Sequence, residues 1–246
     1  MTPRIFLRIR AFTLIELLTV IAIIGILAAI SIPTIGHVRE QAKTAQCASG
    51  LRQLGVAVSL YVVEHKDHYP PKKVPGHSWI SLFIWAGKTG AGGCIVPANM
   101  RPLNPYMGVT GADDPCKVAQ CPNDLQPTGD YYKNGSTYSA NLLNRDGIQC
   151  IENGPDGAAN ADIKNNNSIR ITDIANPARF VVMAEHDFTQ YAVWSVDPLA
   201  RRSFHREKGG SRAWNVLFAD GHVKLTTAKK GVTTPANGDY TFDRRN

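Results

Sequence analysis

One stretch of the sequence decides the fold: FTLIELLTVIAIIGILAAISIPTI, from Phe12 to Ile35. It contains 24 residues and one ionisable side chain, Glu16. At about 1.5 Å per residue, a helix of this length spans the roughly 30 Å hydrocarbon core of a membrane. The sequence therefore predicts one membrane-crossing helix near the amino terminus.

Basic residues precede this segment and set its direction. Arg4, Arg8 and Arg10 come before it, and the first acidic residue of the chain is Glu16. Because positive charge is held on the cytoplasmic side of a membrane, the amino end is expected in the cytoplasm. Everything after Ile35 is then extracytoplasmic.

Two simpler interpretations of this segment are a cleaved signal peptide and a plain signal anchor. Ala29-Ile30-Ser31 has the small residues of a signal-peptidase site. Neither interpretation explains Glu16, because a carboxylate near the start of an apolar helix is costly unless it has a partner.

The run RAFTLIE, residues 10–16, resembles the processing site of the type IV prepilin and pseudopilin family. The resemblance implies that a prepilin peptidase cuts between Ala11 and Phe12 and that Phe12 is then N-methylated, so residues 1–11 form a leader. The family usually has Gly before the cut. Since Ala is the smallest replacement, we expect cleavage at Ala11, at a lower rate.

The same resemblance assigns roles to two further residues. Glu16 becomes the fifth mature residue, which in the family pairs with the free amine of a neighbouring subunit's first residue. A buried carboxylate and a buried ammonium become tolerable when they are brought together, so the pair can fix subunit register. Pro33 lies where the family carries a helix-bending proline.

An apolar stripe predicts that the helix continues beyond the membrane to about His65. The stripe has spacings of four, three, four and three residues, typical of a helix with one face packed on a domain. An independent coiled coil is less well supported, because few positions repeat. The stripe consists of Cys47, Leu51, Leu54, Val58 and Tyr61.

Further motifs resemble those of a large bacterial family of pilin-like proteins. They are the run from Gln46 to the YPP at residues 69–71, the CPND turn at residues 121–124, and His205 followed by Asp220-Gly221. In the family nine residues separate the His from the Asp-Gly, whereas fourteen do so here. The Asp220-Gly221 hairpin is still expected, but a role that needs His205 beside Asp220 is not.

Five cysteines, an odd number, leave at least one outside any set of intramolecular disulfides. In an extracytoplasmic domain cysteines are normally oxidised. Because Cys47 lies on the packing stripe, we prefer a Cys47–Cys121 bridge, and Cys116–Cys121 is the local alternative. A lone Cys-x4-Cys pair at residues 116 and 121 gives little support for a zinc site. Cys94 and Cys150 complete the set.

The carboxy-terminal half contains short runs rich in β-branched and aromatic residues, with turn residues between them. An antiparallel sheet follows, with Asp220-Gly221 forming a two-residue type I′ turn between the last two strands. Earlier in the chain, the run from Trp79 to Trp85 is compatible with a short helix or a strand, and we favour the helix. The predicted strands are residues 136–143, 180–185, 191–196, 214–219 and 222–226.

The polar segment from Cys150 to Asn167 is interpreted as a surface insertion. Its alternative is a calcium site, because Glu152, Asp156 and Asp162 could supply oxygen ligands, although EF-hand spacing is lacking.

Other chemistry is not predicted. Glu185, His186, His205, Asp220 and His222 could form a metal or acid–base group, but they match no catalytic motif, and Asp220 serves the turn. We therefore expect no catalytic residues and no resident cofactor. The formal charge of +7 falls by three to +4 when the leader is removed, and the remaining basic pairs do not predict nucleic-acid binding.

The sequence thus predicts an α+β, pilin-like protein: a leader at 1–11, a membrane and assembly helix at 12–35, its packed continuation at 36–66, and a small antiparallel head at 67–246. The resemblance implies a structural subunit of a type II secretion pseudopilus or type IV pilus, anchored in the inner membrane with an extracytoplasmic head. Implied partners are prepilin peptidase, sibling pilins, the inner-membrane assembly platform and lipid. The alternative is a membrane-anchored extracytoplasmic binding module or enzyme.

Overall fold

The computed structural model describes residues 13–71, 82–92, 94–124, 129–142, 151, 168–196, 205–206 and 212–246. The chain divides into two compact units, residues 1–42 and 43–246. Helix α1, Leu14–Glu64, begins in the first unit and ends in the second. Together with a small antiparallel sheet in the second unit, this helix gives the predicted α+β, pilin-like architecture.

In the second unit, α1 packs through the predicted stripe. Cys47, Leu51 and Leu54 are completely buried, Val58 nearly so, and Tyr61 packs at the edge of the same core. The helix ends at Glu64, within one residue of the prediction, and left-handed backbone at Lys66 and Asp67 turns the chain away. The packed helical continuation that the apolar stripe predicts is therefore confirmed.

Glycine lets the core approach α1 closely. A Cβ built at Gly55 would lie 2.9 Å from Leu217 Cδ1, and one built at Gly50 would lie 2.8 Å from the carbonyl oxygen of Val118. These glycines cost helix propensity. They allow the sheet and a loop to pack directly against the helix backbone.

Within the described residues, the sheet consists of five antiparallel strands: β1 Tyr138–Ala140, β2 Val181–Glu185, β3 His205–Arg206, β4 Arg212–Phe218 and β5 Val223–Thr226. Strand β1 pairs with β2, and β4 pairs with β2, β3 and β5. Four of the five predicted strands are thereby confirmed; β1, β2 and β5 are shorter than predicted, and β4 begins two residues earlier and ends one residue earlier. The two-residue β3 was not predicted.

The residues of β4 alternate between two cores. One core contains Trp214, Val216 and Phe218 together with Phe188, which lies in the helix that follows β2. Leu217 packs instead with the α1 stripe. This alternation is the period of two expected for a sheet covered on both faces. The second unit therefore has α1 on one face of the sheet and helix α3, His186–Trp194, on the other.

Two predicted elements are wrong. Residues 191–194 belong to α3 and not to a strand, and left-handed Ser195, at φ 59°, ends that helix. Residues 82–85 form turns and bends and not a helix, while residues 79–81 lie outside the described part of the chain. The part of the chain that the structure describes also contains a short helix α2, Asp130–Asn134, and 3₁₀ turns at Ala98–Met100, Asn104–Met107, Lys117–Ala119 and Ile171–Asp173.

The predicted hairpin between β4 and β5 is confirmed, but its turn type is wrong. Gly221 has φ 88°, whereas Asp220 does not have positive φ as a type I′ turn requires. The Gly221 N–H donates to the Phe218 carbonyl at 3.0 Å, and the Phe218 N–H donates to the His222 carbonyl at 3.0 Å. The loop thus has three residues and ends on a left-handed glycine.

Replacing Gly221 with alanine should destabilise the second unit by about 1 kcal/mol, because φ is unfavourable for a residue with a side chain. Space is not the cause, since a Cβ at Gly221 would meet nothing within 4 Å. Gly92 is the matched control, because it is equally open and has no left-handed φ. Urea unfolding of both alanine variants measures the difference; equal stabilities would contradict the backbone argument.

Candidate functional site

The first candidate site is the apolar surface of the first unit. Large side chains from Leu14 to Ile35 are about half exposed or more, and they include neighbours such as Leu17-Leu18 and Ile23-Ile24, which point to different sides of a helix. By length and composition this part of α1 could cross a membrane. An apolar surface of this size requires lipid or other helices to cover it.

Glu16 is hydrogen-bonded within its own chain. The backbone N–H and the hydroxyl of Thr13 donate to Glu16 Oε2 at 2.9 and 2.8 Å, and the Glu16 N–H donates to Thr13 Oγ1 at 3.2 Å. This reciprocal pattern is a capping box at the start of α1. We did not predict it, although the Thr-x-x-Glu spacing carries the signal.

The other residues of the predicted processing and assembly site are placed only in part. Pro33 lies inside α1, and the expected bend there stays a prediction. Ala11 and Phe12 lie outside the described residues, so cleavage between them stays a prediction too.

The second candidate site is a buried group of side chains in the head. Cys47 of α1 forms a disulfide with Cys121, the pairing that we preferred from the sequence. Cys94 and Cys116 are buried free thiols, and burial raises the pKa of Cys116. Cys150 lies outside the described residues. The disulfide fixes the loop containing Cys121 to the packed face of α1.

Glu185 and His205 meet beside this disulfide. His205 Nε2 lies 2.8 Å from Glu185 Oε1, and both side chains are completely buried. The Asn215 backbone N–H donates to the second carboxylate oxygen, Glu185 Oε2, at 3.1 Å. Strand β4 positions this pair, because its Ala213 pairs with His205 and its Asn215 holds Glu185.

The other edge of the His205 ring is also occupied. Nδ1 lies 2.9 Å from Thr44 Oγ1 and 3.2 Å from Asn123 Nδ2. On the first edge, Nε2 lies 3.7 Å from Cys121 Sγ as well as near Glu185. The imidazole is therefore held in one orientation, with its Nε2 facing both the carboxylate and the disulfide.

Tyr138 connects this buried group to α1 through a hydrogen bond. Its hydroxyl donates to the Cys47 carbonyl at 3.1 Å. Burial raises the pKa of Tyr138 well above its ordinary value, and the Glu185 and Asp124 carboxylates raise that pKa further. The phenol therefore stays neutral and acts as a donor.

The sequence-derived group of five acidic and histidine residues is split in the structure. Of the five, Glu185 and His205 pair with each other. His186 instead contacts Gln190 at 2.8 Å, and His222 contacts Asp220 at 2.6 Å in the hairpin. His205 pairs near the start of β4 and Asp220 follows its end, so the two signature residues are apart, as the longer spacing indicated. The calcium candidates Glu152, Asp156 and Asp162 lie outside the described residues.

Comparison with known proteins identifies the amino-terminal segment. Residues 7–32 match the model of the prokaryotic N-terminal methylation motif. The amino-terminal region is 45% identical over 62 residues to the type IV major pilin protein PilA of Myxococcus xanthus (strain DK1622). That match spans 25% of this chain and 28% of the relative. No solved structure matches the chain.

Proposed function

We propose that this protein is a structural subunit of a filament of the type IV pilus or type II secretion pseudopilus kind. The observation that carries the proposal is the methylation motif at residues 7–32, which from Leu14 onward coincides with an apolar helix whose side chains are exposed. An exposed apolar helix suits two successive environments, lipid before assembly and neighbouring subunits after it. In this proposal the protein acts as a building block and not as an enzyme.

Processing by a prepilin peptidase is the first step of this proposal. The peptidase cuts between Ala11 and Phe12, and Phe12 is methylated at its new amine. The matched motif spans both residues. Removal of the leader also removes Arg4, Arg8 and Arg10 and leaves a free amino terminus four residues from Glu16.

Assembly then uses Glu16 and the apolar helix surface. In a filament, the Glu16 carboxylate accepts a charge-assisted hydrogen bond from the amine of a neighbouring Phe12, while the surrounding apolar side chains pack between helices. The assembly platform in the inner membrane extracts each subunit from lipid. Sibling pilins supply the neighbouring helices.

The proposed orientation places the head outside the cytoplasm. The three leader arginines favour a cytoplasmic amino terminus. The Cys47–Cys121 disulfide supports the same orientation, because disulfides persist in oxidising compartments and are rare in the cytosol. The subunit is therefore a single-pass protein of the inner membrane until it enters the filament.

The decisive experiment is intact-mass and amino-terminal peptide analysis of the protein extracted from membranes. We expect a chain that begins at N-methylated Phe12. An Ala11→Gly variant is the matched control and should be cleaved at least as fast. A chain that still begins at Met1 would mean that Ala11 blocks processing and would favour an anchored binding module or enzyme. A chain that begins near Ile32, after signal-peptidase cleavage, would exclude the prepilin pathway.

A further inference from the structure

Four metal-binding side chains from separate parts of the chain meet inside the head. They are Cys47 on α1, Cys121 in a loop, Glu185 at the end of β2 and His205 on β3. Their ligand atoms all lie within 4.8 Å of one another, and all four residues are completely buried. This group is independent of the proposed filament function.

The chemistry of the four donors is selective. Two sulfurs, an imidazole nitrogen and a carboxylate oxygen are the donor types that zinc takes in proteins, in a tetrahedral arrangement. Calcium and magnesium are disfavoured, because both prefer sites made only of oxygen. The donor types of this group therefore match zinc(II) better than they match calcium or magnesium.

The disulfide controls this site. The thiolate is the form of cysteine that ligates metal, so Cys47 and Cys121 cannot act as ligands while they are joined to each other. We propose that the head binds one zinc(II) ion through Cys47, Cys121, Glu185 and His205 when this disulfide is reduced. Oxidation then expels the ion.

The proton and electron balance is simple. A thiol or phosphine reductant supplies two electrons, and two protons from solvent convert the disulfide into two thiols. Zinc displaces both thiol protons when it binds. His205 Nε2 must also present its lone pair to the metal. The neutral ring therefore loses the proton that Nε2 donates to Glu185 Oε1 and takes one up at Nδ1, so that its number of protons does not change.

The surroundings are suited to this change. Thr44 Oγ1, 2.9 Å from His205 Nδ1, can donate to the ring in the oxidised head and accept Nδ1–H in the metal-bound head. The Asn123 amide, whose Nδ2 lies 3.2 Å from Nδ1, must turn its oxygen toward the ring in the metal-bound head, because Nδ1–H and an amide N–H are both donors. The Asn215 N–H holds Glu185 Oε2 and leaves Oε1 directed at the site. Such outer contacts orient zinc ligands in known sites. The bound site carries one net negative charge, as Cys₃His zinc sites do.

The test uses the full chain in detergent, reduced with a phosphine and desalted. Zinc is titrated against a chromophoric chelator, and cobalt(II) reports the geometry through its ligand-field and thiolate charge-transfer bands. We expect one ion per reduced chain with a tetrahedral cobalt spectrum, and no binding by the oxidised protein. A reduced, folded chain that binds no ion would overturn the proposal.

Variants then identify the ligands. Glu185→Gln and His205→Asn should weaken zinc binding by more than the roughly 10- to 100-fold typical of losing an outer contact. Cys94→Ser and Cys116→Ser are the controls and should retain it, because these thiols lie outside the group. Binding that survives His205→Asn but is lost in a control variant would assign the ion to other cysteines.

Reduction could unfold the head, and a second measurement covers that outcome. The reduced chain is refolded from urea with and without zinc. Because a metal that binds only the folded state stabilises it, zinc should raise the unfolding midpoint of the reduced chain and leave that of the oxidised chain unchanged. Equal midpoints with and without zinc would reject the site.

Discussion

Replacing Glu16 with glutamine is expected to abolish incorporation of the subunit into filaments while leaving the start of α1 folded. Glutamine at the third helical position can still accept from Thr13, as in the Gln form of a capping box. It cannot supply the negative charge that an ammonium in the membrane requires. The substitution therefore separates the local cap from the proposed pair between subunits.

Thr13→Val is the complementary control. It removes the hydroxyl that both accepts from the Glu16 N–H and donates to its carboxylate, and it keeps the charge. Loss of a cap costs about 1 kcal/mol of helix stability. A long helix in lipid should tolerate that cost, so Thr13→Val subunits should still assemble.

The measurement compares the amount of subunit in sheared filaments with the amount in membranes, together with the processed fraction beginning at Phe12. Processed Glu16→Gln subunits confined to membranes would support the intersubunit pair. Normal assembly of Glu16→Gln would instead leave Glu16 with only its capping role. An anchored binding module or enzyme would keep its activity in all of these variants.

The parts of the fold that sequence predicts well are those with local signals. The stripe of α1 repeats with the helical period, so the burial of Cys47, Leu51 and Leu54 could be predicted without a structure. Asp220 and Gly221 likewise mark the β4–β5 hairpin. The predicted type I′ turn was wrong, because the turn type depends on whether one residue or two adopt positive φ, and only Gly221 of the pair does.

The mistaken strand at residues 191–196 shows where local signals fail. Tyr191, Val193 and Trp194 are β-branched or aromatic and favour strands on propensity alone. In the structure, Phe188 and Ala192 lie four residues apart on the buried face of α3. Packing on the sheet overrides the propensity of the segment, and this packing involves residues distant in sequence.

The buried group around His205 could not be predicted from local sequence signals either. Glu185 and His205 are twenty positions apart in the sequence, and their contact depends on the pairing of β4 with both β2 and β3. Strand β3 has two residues and no recognisable sequence pattern. The residue types could be identified as possible ligands, but the subset that meets could not be chosen.

Arg101 is a second buried feature that sequence did not reveal, and replacing it should cause the largest loss of stability. Its side chain is completely buried. The guanidinium donates to the carbonyls of Phe83, Ala86 and Asn134, the last two at 2.9 Å. Burial lowers its pKa, yet arginine stays charged in proteins. Arg101 thus satisfies three backbone carbonyls in a region with little regular structure.

Arg101→Met should destabilise the head by about 3 kcal/mol or more, because each buried carbonyl left without a donor costs about 1–3 kcal/mol. Methionine keeps much of the apolar stem, so lost packing is a smaller part of the effect. Arg101→Lys should give an intermediate loss, since an ammonium cannot reproduce the planar fork that reaches several carbonyls. The free energy of unfolding is measured with urea on the oxidised full chain in detergent.

Arg52→Met is the matched control, because Arg52 is exposed on α1 and its replacement should change stability by no more than about 0.5 kcal/mol. A loss confined to Arg101→Met shows that the buried donors hold the loops together. A small effect at Arg101, similar to that at Arg52, would mean that water or backbone movement satisfies the three carbonyls. The ordering Met, then Lys, then Arg in increasing stability is therefore the specific outcome that this geometry requires.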